Sequence, residues 1–123
     1  MQSKNAHVLI VDDDPDTLSL LSLTLRSSGY EVTKAISGAS AIAFIENNDY
    51  DLIILDLMMP EISGFDVLRA LRVRKREMPA VILLTAKDTL EDQLTARQLG
   101  VVDYVTKPVA RDVLLKKIQA AIT

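Results

Sequence analysis

Cysteine is absent from the 123 residues, so neither a disulfide framework nor a thiolate zinc site can be built. No Gly-x-x-x-x-Gly-Lys run is present to cradle nucleotide phosphates. Histidine occurs once, as His7. The net charge of -3, with both signs interspersed, provides no basic footprint for direct nucleic-acid binding. No apolar run approaches a membrane span, and Met1-Gln2-Ser3-Lys4-Asn5 is followed by no hydrophobic signal segment. These absences lead to the expectation of a soluble protein of a reducing compartment, most simply the cytoplasm, with no membrane partner.

What is present suits one domain, residues 1–123, with enough apolar sequence (49%) for a real core. His7-Val8-Leu9-Ile10-Val11, Leu52 to Leu55 and Ala80 to Leu84 are short, largely unbroken apolar runs, the pattern of strands covered on both faces. Glu31 to Ala35 and Asp103 to Thr106 are weaker strands expected at the edges. Between the strands the spacing turns helical, with stripes at Leu18, Leu21 and Leu25, at Gly38, Ala41, Ile42 and Ile45, at Gly64, Val67, Leu68 and Leu71, and at Leu114, Ile118, Ala121 and Ile122. Asp14-Pro15 offers an N-cap and a first-turn proline, and Gly29 a stop. Thr89 to Leu99 is the poorest helix, with Leu90, Leu94 and Leu99 among polar residues. Such alternation predicts an α/β fold: a five-stranded parallel sheet, doubly wound and flavodoxin-like, with helices on both faces. One common form of it orders the strands 2-1-3-4-5.

In that order four neighbouring strand tips carry Asp12 and Asp13, then Asp56, then Thr85, then Lys107. Open α/β sheets bind ligands at this end. A cluster of carboxylates repels itself, which invites a hard divalent cation, and Mg²⁺ takes carboxylate and phosphate oxygens while keeping several waters. With Mg²⁺ and Lys107 opposite Asp12, Asp13 and Asp56, the charges balance. Asp56 then has the character of a carboxylate nucleophile that forms an acyl phosphate, with Thr85, Lys107 and the metal meeting the charge on the phosphoryl oxygens.

Val11-Asp12-Asp13-Asp14-Pro15, Asp56-Leu57-Met58-Met59-Pro60 with Gly64, Thr85-Ala86, and Tyr104-Val105-Thr106-Lys107-Pro108 together resemble the four signature blocks of response-regulator receiver domains of bacterial two-component systems. The likeness runs from about His7 to the end of the chain. It implies that Asp56 is the phosphoacceptor, that Asp12 and Asp13 hold Mg²⁺ with the Met58 backbone carbonyl as a further ligand, and that Thr85 and Lys107 engage the phosphoryl group. It also implies that Tyr104 is a switch residue turning inward with Thr85, and that the Lys107-Pro108 bond is cis. The partners implied are a sensor histidine kinase or histidine phosphotransfer protein as donor, and an output domain or partner protein as receiver. The chain departs from the pattern at Val101-Val102 and Val109, near the expected partner surface. Met58 and Lys87 match positions that tune phosphoryl lifetime.

Several residues have plainer readings. Asp14 is expected to be a helix cap, His7 a solvated residue at the far end of the first strand, and Arg72, Arg74, Lys75 and Arg76 the solvated end of a helix whose dipole favours cations. A hydrolase with an aspartyl-phosphate intermediate would ordinarily place a second acid where Met58 stands. A flavodoxin-like flavin binder would need a phosphate-cradling loop where Asp12-Asp13-Asp14 would repel the ligand. A docking module that is never phosphorylated is disfavoured by the complete residue set. The chain reads either as a stand-alone receiver or as part of a longer regulator or hybrid kinase, in which phosphorylation remodels the surface of the fourth helix, last strand and last helix.

Overall fold

The protein's structure, a computed structural model, describes residues 5–74, 78–86 and 89–122. Lys75, Arg76 and Lys87 therefore lie outside the described residues. Strands β1 (His7–Val11), β2 (Glu31–Ala35), β3 (Leu52–Asp56), β4 (Ala80–Thr85) and β5 (Asp103–Thr106) alternate with helices α1 (Pro15–Ser27), α2 (Gly38–Asn47), α3 (Gly64–Arg74), α4 (Leu90–Gln98) and α5 (Arg111–Ile122). All strand pairs are parallel and the order is β2-β1-β3-β4-β5, as the alternation predicts.

The strand sequences explain their places. Every residue of Leu52–Asp56 is buried, which demands helices on both faces and suits the centre of the sheet. Successive side chains alternate between those faces. Leu9, Val11, Ile53, Leu55, Val81 and Leu83 pack with Ala41, Ile45, Val67, Leu68 and Leu71 of α2 and α3. Val8, Ile10, Leu52, Ile54, Ile82 and Leu84 pack with Leu18, Leu21 and Leu25 of α1 and Leu114 and Ile118 of α5. The weaker sequences of β2 and β5 occupy the edges.

Helix starts are set by short polar side chains. The Asp14 carboxylate accepts from the Asp16 N–H and, at 2.7 Å, from the Thr17 hydroxyl, and Pro15 opens the helix. Ser37 and Ser40 form a reciprocal capping box at α2, and Ser63 and Asp66 exchange an equivalent pair of bonds before α3. Gly29, at φ +94°, leads out of α1 in a conformation that favours glycine. At α4 the apolar pattern misleads: the buried residue is Ala96, while Leu90 and Leu94 are 70% and 53% exposed.

Candidate metal and phosphoryl site

The acids at the strand tips converge because parallel neighbours in register end together. Val11 pairs with Leu55 and Asp56 with Leu84, so the residues that follow Val11 and close β3 emerge side by side. Asp12 and Asp56 are buried, whereas Asp13 is exposed. One carboxylate oxygen from each of Asp12, Asp13 and Asp56 lies within 4.8 Å of the others. Lys107 reaches in from the far side, its Nζ 2.8 Å from Asp12 Oδ2 and 3.5 Å from Asp56 Oδ2. The Lys107 backbone N–H donates to the Thr85 carbonyl at 2.7 Å, which fixes the root of that side chain to the end of β4. The Lys107-Pro108 peptide bond is cis.

Each carboxylate keeps one oxygen engaged by the backbone. Asp12 Oδ1 accepts from the Asp14 N–H at 2.9 Å, and Asp56 Oδ1 accepts from the Met58 N–H at 3.3 Å. The other oxygens face the ammonium. Asp12 Oδ2 is buried yet makes no hydrogen bond of good geometry, so the nearby Lys107 charge compensates it without a directed bond. Burial first, and then the Asp12 charge, push the Asp56 carboxyl up to about 6, against the opposing pull of Lys107 and the Met58 N–H. For Lys107, burial works against the charged form, but the Asp12 and Asp56 carboxylates outweigh it and raise its pKa above the ordinary value. The cluster thus gathers three carboxylates, of which Asp12 and Asp56 share the Lys107 ammonium. An incompletely bonded buried oxygen and a destabilised neighbouring carboxylate are what a missing positive charge produces, and an oxygen-only donor set fits a hard divalent cation such as Mg²⁺.

Gly64 allows the loop after β3 to close over this site. A methyl group there would lie 2.5 Å from the Asp56 carbonyl oxygen and 2.8 Å from Leu57 Cα. The Gly64 N–H also donates to the Leu57 carbonyl, so α3 begins against the backbone that carries Asp56. Thr85, buried at the end of β4, lines a small pocket with Leu57, Leu83, Asp92, Gln93, Ala96 and the half-buried Tyr104. The side chains of β4, α4 and β5 therefore meet next to the acidic cluster.

Residues 8–119 match the response regulator receiver domain family. The chain belongs to this family. It is 42% identical over 113 residues to the probable transcriptional regulatory protein TcrX of Mycobacterium tuberculosis, covering 92% of this chain and 48% of that protein. It is also 42% identical over 122 residues to the transcriptional regulatory protein GlrR of Escherichia coli, covering 99% of this chain and 27% of that protein. The chain thus spans about half, or less, of these curated relatives. Among solved structures, the chemotaxis protein CheY4 of Vibrio cholerae superposes with a TM-score of 0.91 at 31% identity, covering 96% of this chain and 99% of that one. The receiver domain of the sensor histidine kinase PA1611 of Pseudomonas aeruginosa, solved with magnesium in its active-site cleft, gives 0.86 at 31% identity over 97% and 98%. Receiver domains are phosphoacceptor switches of two-component signalling, not turnover enzymes.

Two plain readings need refinement, and one further pairing appears. His7 is not simply solvated: its Nε2 lies 2.8 Å from the Thr33 hydroxyl, its ring meets Tyr50 edge-on with centroids 4.8 Å apart, and its backbone N–H donates to the Asp51 carboxylate. Arg72 and Arg74 are exposed but engaged, the first donating to the Gln98 carbonyl at 2.9 Å and the second 3.8 Å from Glu46. Asp103 anchors the Lys117 ammonium, at 3.0 and 2.9 Å, and joins β5 to α5. Each of these pairings joins residues well separated in the chain, which sequence spacing does not reveal. Among the described residues no helix is long and apolar enough to cross a membrane.

Proposed function

We propose that Asp56 accepts a phosphoryl group from a phosphohistidine of a sensor histidine kinase or histidine phosphotransfer protein, with Mg²⁺ held by Asp12, Asp13, Asp56 and the Met58 backbone carbonyl. The observation that carries this is the buried Asp12–Asp56 pair bridged by Lys107, with exposed Asp13 beside it. An Asp56 oxygen attacks phosphorus, an O–P bond forms as the donor's N–P bond breaks, and the imidazole leaves with the electron pair of that bond, its freed nitrogen taking a proton from solvent. At neutral pH the Asp56 carboxyl, at about 6, is mostly ionised, so no general base is required. Lys107 holds the carboxylate pair and then follows the new negative charge. When bound, Mg²⁺ neutralises the charge shared between the carboxylates and the phosphoryl oxygens.

Phosphorylation replaces one carboxylate charge by about two and adds strong acceptors. Thr85 moves toward these, and Tyr104, in the same pocket, turns inward behind it. The change passes to the surface of α4, β5 and α5, where Leu90, Leu94, Val102 and Val113 are exposed, and so to an output domain or partner protein. Val102 and Val109 give that region part of its own character. A near-complete shift of a two-state population requires about 5 kcal/mol of differential stabilisation. Residues 1–123 act in this reading as a single cytoplasmic receiver domain that does not itself contact nucleic acid or membrane. Met58, in place of a second acid two residues after Asp56, favours the switch over a phosphate-ester hydrolase.

Incubation with a small phosphodonor and Mg²⁺, followed by intact mass, tests the reading. A gain of one phosphoryl group is expected in the parent and none in Asp56→Asn. An equal gain in both would remove Asp56 from its role.

A further inference from the structure

We infer that Arg72 of α3 is a tether that fixes the C-terminal end of α4, making that end the pivot about which the helix responds to phosphorylation. This rests on the reading of α4 as part of the responding surface.

The last carbonyls of a helix have no partner within it. Here the chain satisfies most of them itself. The Gly100 N–H donates to Arg97 at 3.1 Å and the Val101 N–H to Ala96 at 3.2 Å, while the Leu99 N–H turns back to Thr95 and Ala96. Gly100, at φ +84°, allows this doubled closure, which is the Schellman arrangement. The pattern leaves the Gln98 carbonyl directed off the end of the helix. Arg72, from a helix 26 residues earlier, supplies the donor at 2.9 Å. Its positive charge is also favourable at a helix C-terminus. A methyl group at Gly100 would stand 3.7 Å from Arg72 Nη1, an ordinary contact, so glycine is needed there for its backbone conformation and not for the approach of the arginine.

The chain then runs directly into the sheet: the Val102 N–H donates to the Val81 carbonyl at 2.9 Å, before β5 begins at Asp103. The C-terminal end of α4 is therefore tied to α3 by a side chain and to β4 by the backbone. Toward the other end, the described apolar side chains Leu90 and Leu94 face outward, and the buried anchor, Ala96, lies in the last turn. The pocket beside Thr85 is lined by Asp92 and Gln93 as well as by Ala96, so a push delivered there bears on the lightly seated end as well as on the anchored one. Helix α4 consequently swings at Leu90–Leu94 while Gln98–Val101 stays in place.

The test compares the parent, Arg72→Ala and Arg72→Lys by amide hydrogen exchange, and by amide chemical shifts without and with fluoroberyllate and Mg²⁺. In the unliganded protein, Arg72→Ala should speed exchange in the segment 98–101 about fivefold, the effect of losing one modest hydrogen bond. Arg72→Lys should fall between the two, because its ammonium keeps the charge without the planar fork. With fluoroberyllate, the parent should shift most at 90–94 and little at 98–101, and Arg72→Ala should spread the change to 98–101. Equal exchange in parent and Arg72→Ala would overturn the tether. Parent shifts at 98–101 as large as those at 90–94 would overturn the pivot. Absence of any shift around Asp56 would count against the phosphoacceptor reading, while the unliganded exchange comparison still decides the tether.

Discussion

The centre of the sheet and its β5 edge are built to opposite specifications. In β3 every residue is buried, and the acids that emerge from β1 and β3 are held by backbone N–H groups, by Lys107 and by the close approach of Gly64. At the β5 side, only Val105 of the strand and Ala96 of α4 are buried, and the leucines of α4 face solvent. Charged groups can be held within a few ångströms of each other only where packing leaves them no alternative geometry. A part that must change state has to rest on few apolar contacts, so that a modest free energy moves it. Thr85 lies at the boundary, on the last residue of a buried strand and in the pocket beneath α4.

The sharpest way to break this contrast is to crowd the central region. Gly64→Ala drives a methyl into the Asp56 carbonyl and should lower stability by about 3 kcal/mol or more, read by chemical denaturation. Gly100→Ala, at the end of α4, meets only its own backbone preference at φ +84° and should cost about 1 kcal/mol. Equal losses would remove the distinction between the regions.

A second effect is electrostatic and depends on pH. The folded state raises Asp56 from 3.8 to about 6, so it binds that proton more tightly than the unfolded chain does. The resulting stabilisation is complete below about pH 3.8 and is lost as pH rises through about 6. Metal-free Asp56→Asn should therefore be more stable than the parent at pH 7 to 8, by on the order of 1–3 kcal/mol. Near pH 4 the advantage should disappear. Saturating Mg²⁺ should stabilise the parent selectively, because a ligand of the native state alone shifts the equilibrium by mass action. Thermal melts of both proteins across pH, with and without Mg²⁺, check each sign. A parent that outlasts the variant without metal at pH 8 would contradict the repulsion assigned to the acidic cluster.

The smallest effect is the most discriminating between regions. Ser37→Ala and Thr89→Ala each remove an N-cap, worth about 1 kcal/mol. Because α2 buries Ala41 and Ile45, the first loss should appear in the global unfolding midpoint. The second should appear mainly as faster amide exchange within α4, with little change in the midpoint.

Legibility in the sequence followed the same division. The unbroken runs of β1, β3 and β4 have one physical solution, a strand covered on both faces, and the acids after them follow from where such strands must end. Helix α4 was visible as the weakest helix, but Leu90 and Leu94 did not mark its buried face, because Ala96 carries that contact. Ser37-Gly38-Ala39-Ser40 carried a readable capping signal, with serine in place of the usual Glu or Gln. Thr33 as partner of His7 and Gln98 as partner of Arg72, each 26 residues away, depend on how elements pack and leave no trace in local spacing. The strained turn at Glu61, a non-glycine residue at φ +68° with the Ile62 N–H donating to the Pro60 carbonyl at 2.8 Å, was equally hidden.

Chemical mapping of the modified residue tests the central claim most directly. After treatment with a small phosphodonor and Mg²⁺, hydride reduction converts an aspartyl phosphate to homoserine, and peptide sequencing by mass spectrometry locates it. Conversion at residue 56, absent when Mg²⁺ is chelated, is the predicted result. Conversion at Asp12 or Asp13 with Asp56 intact would contradict the account.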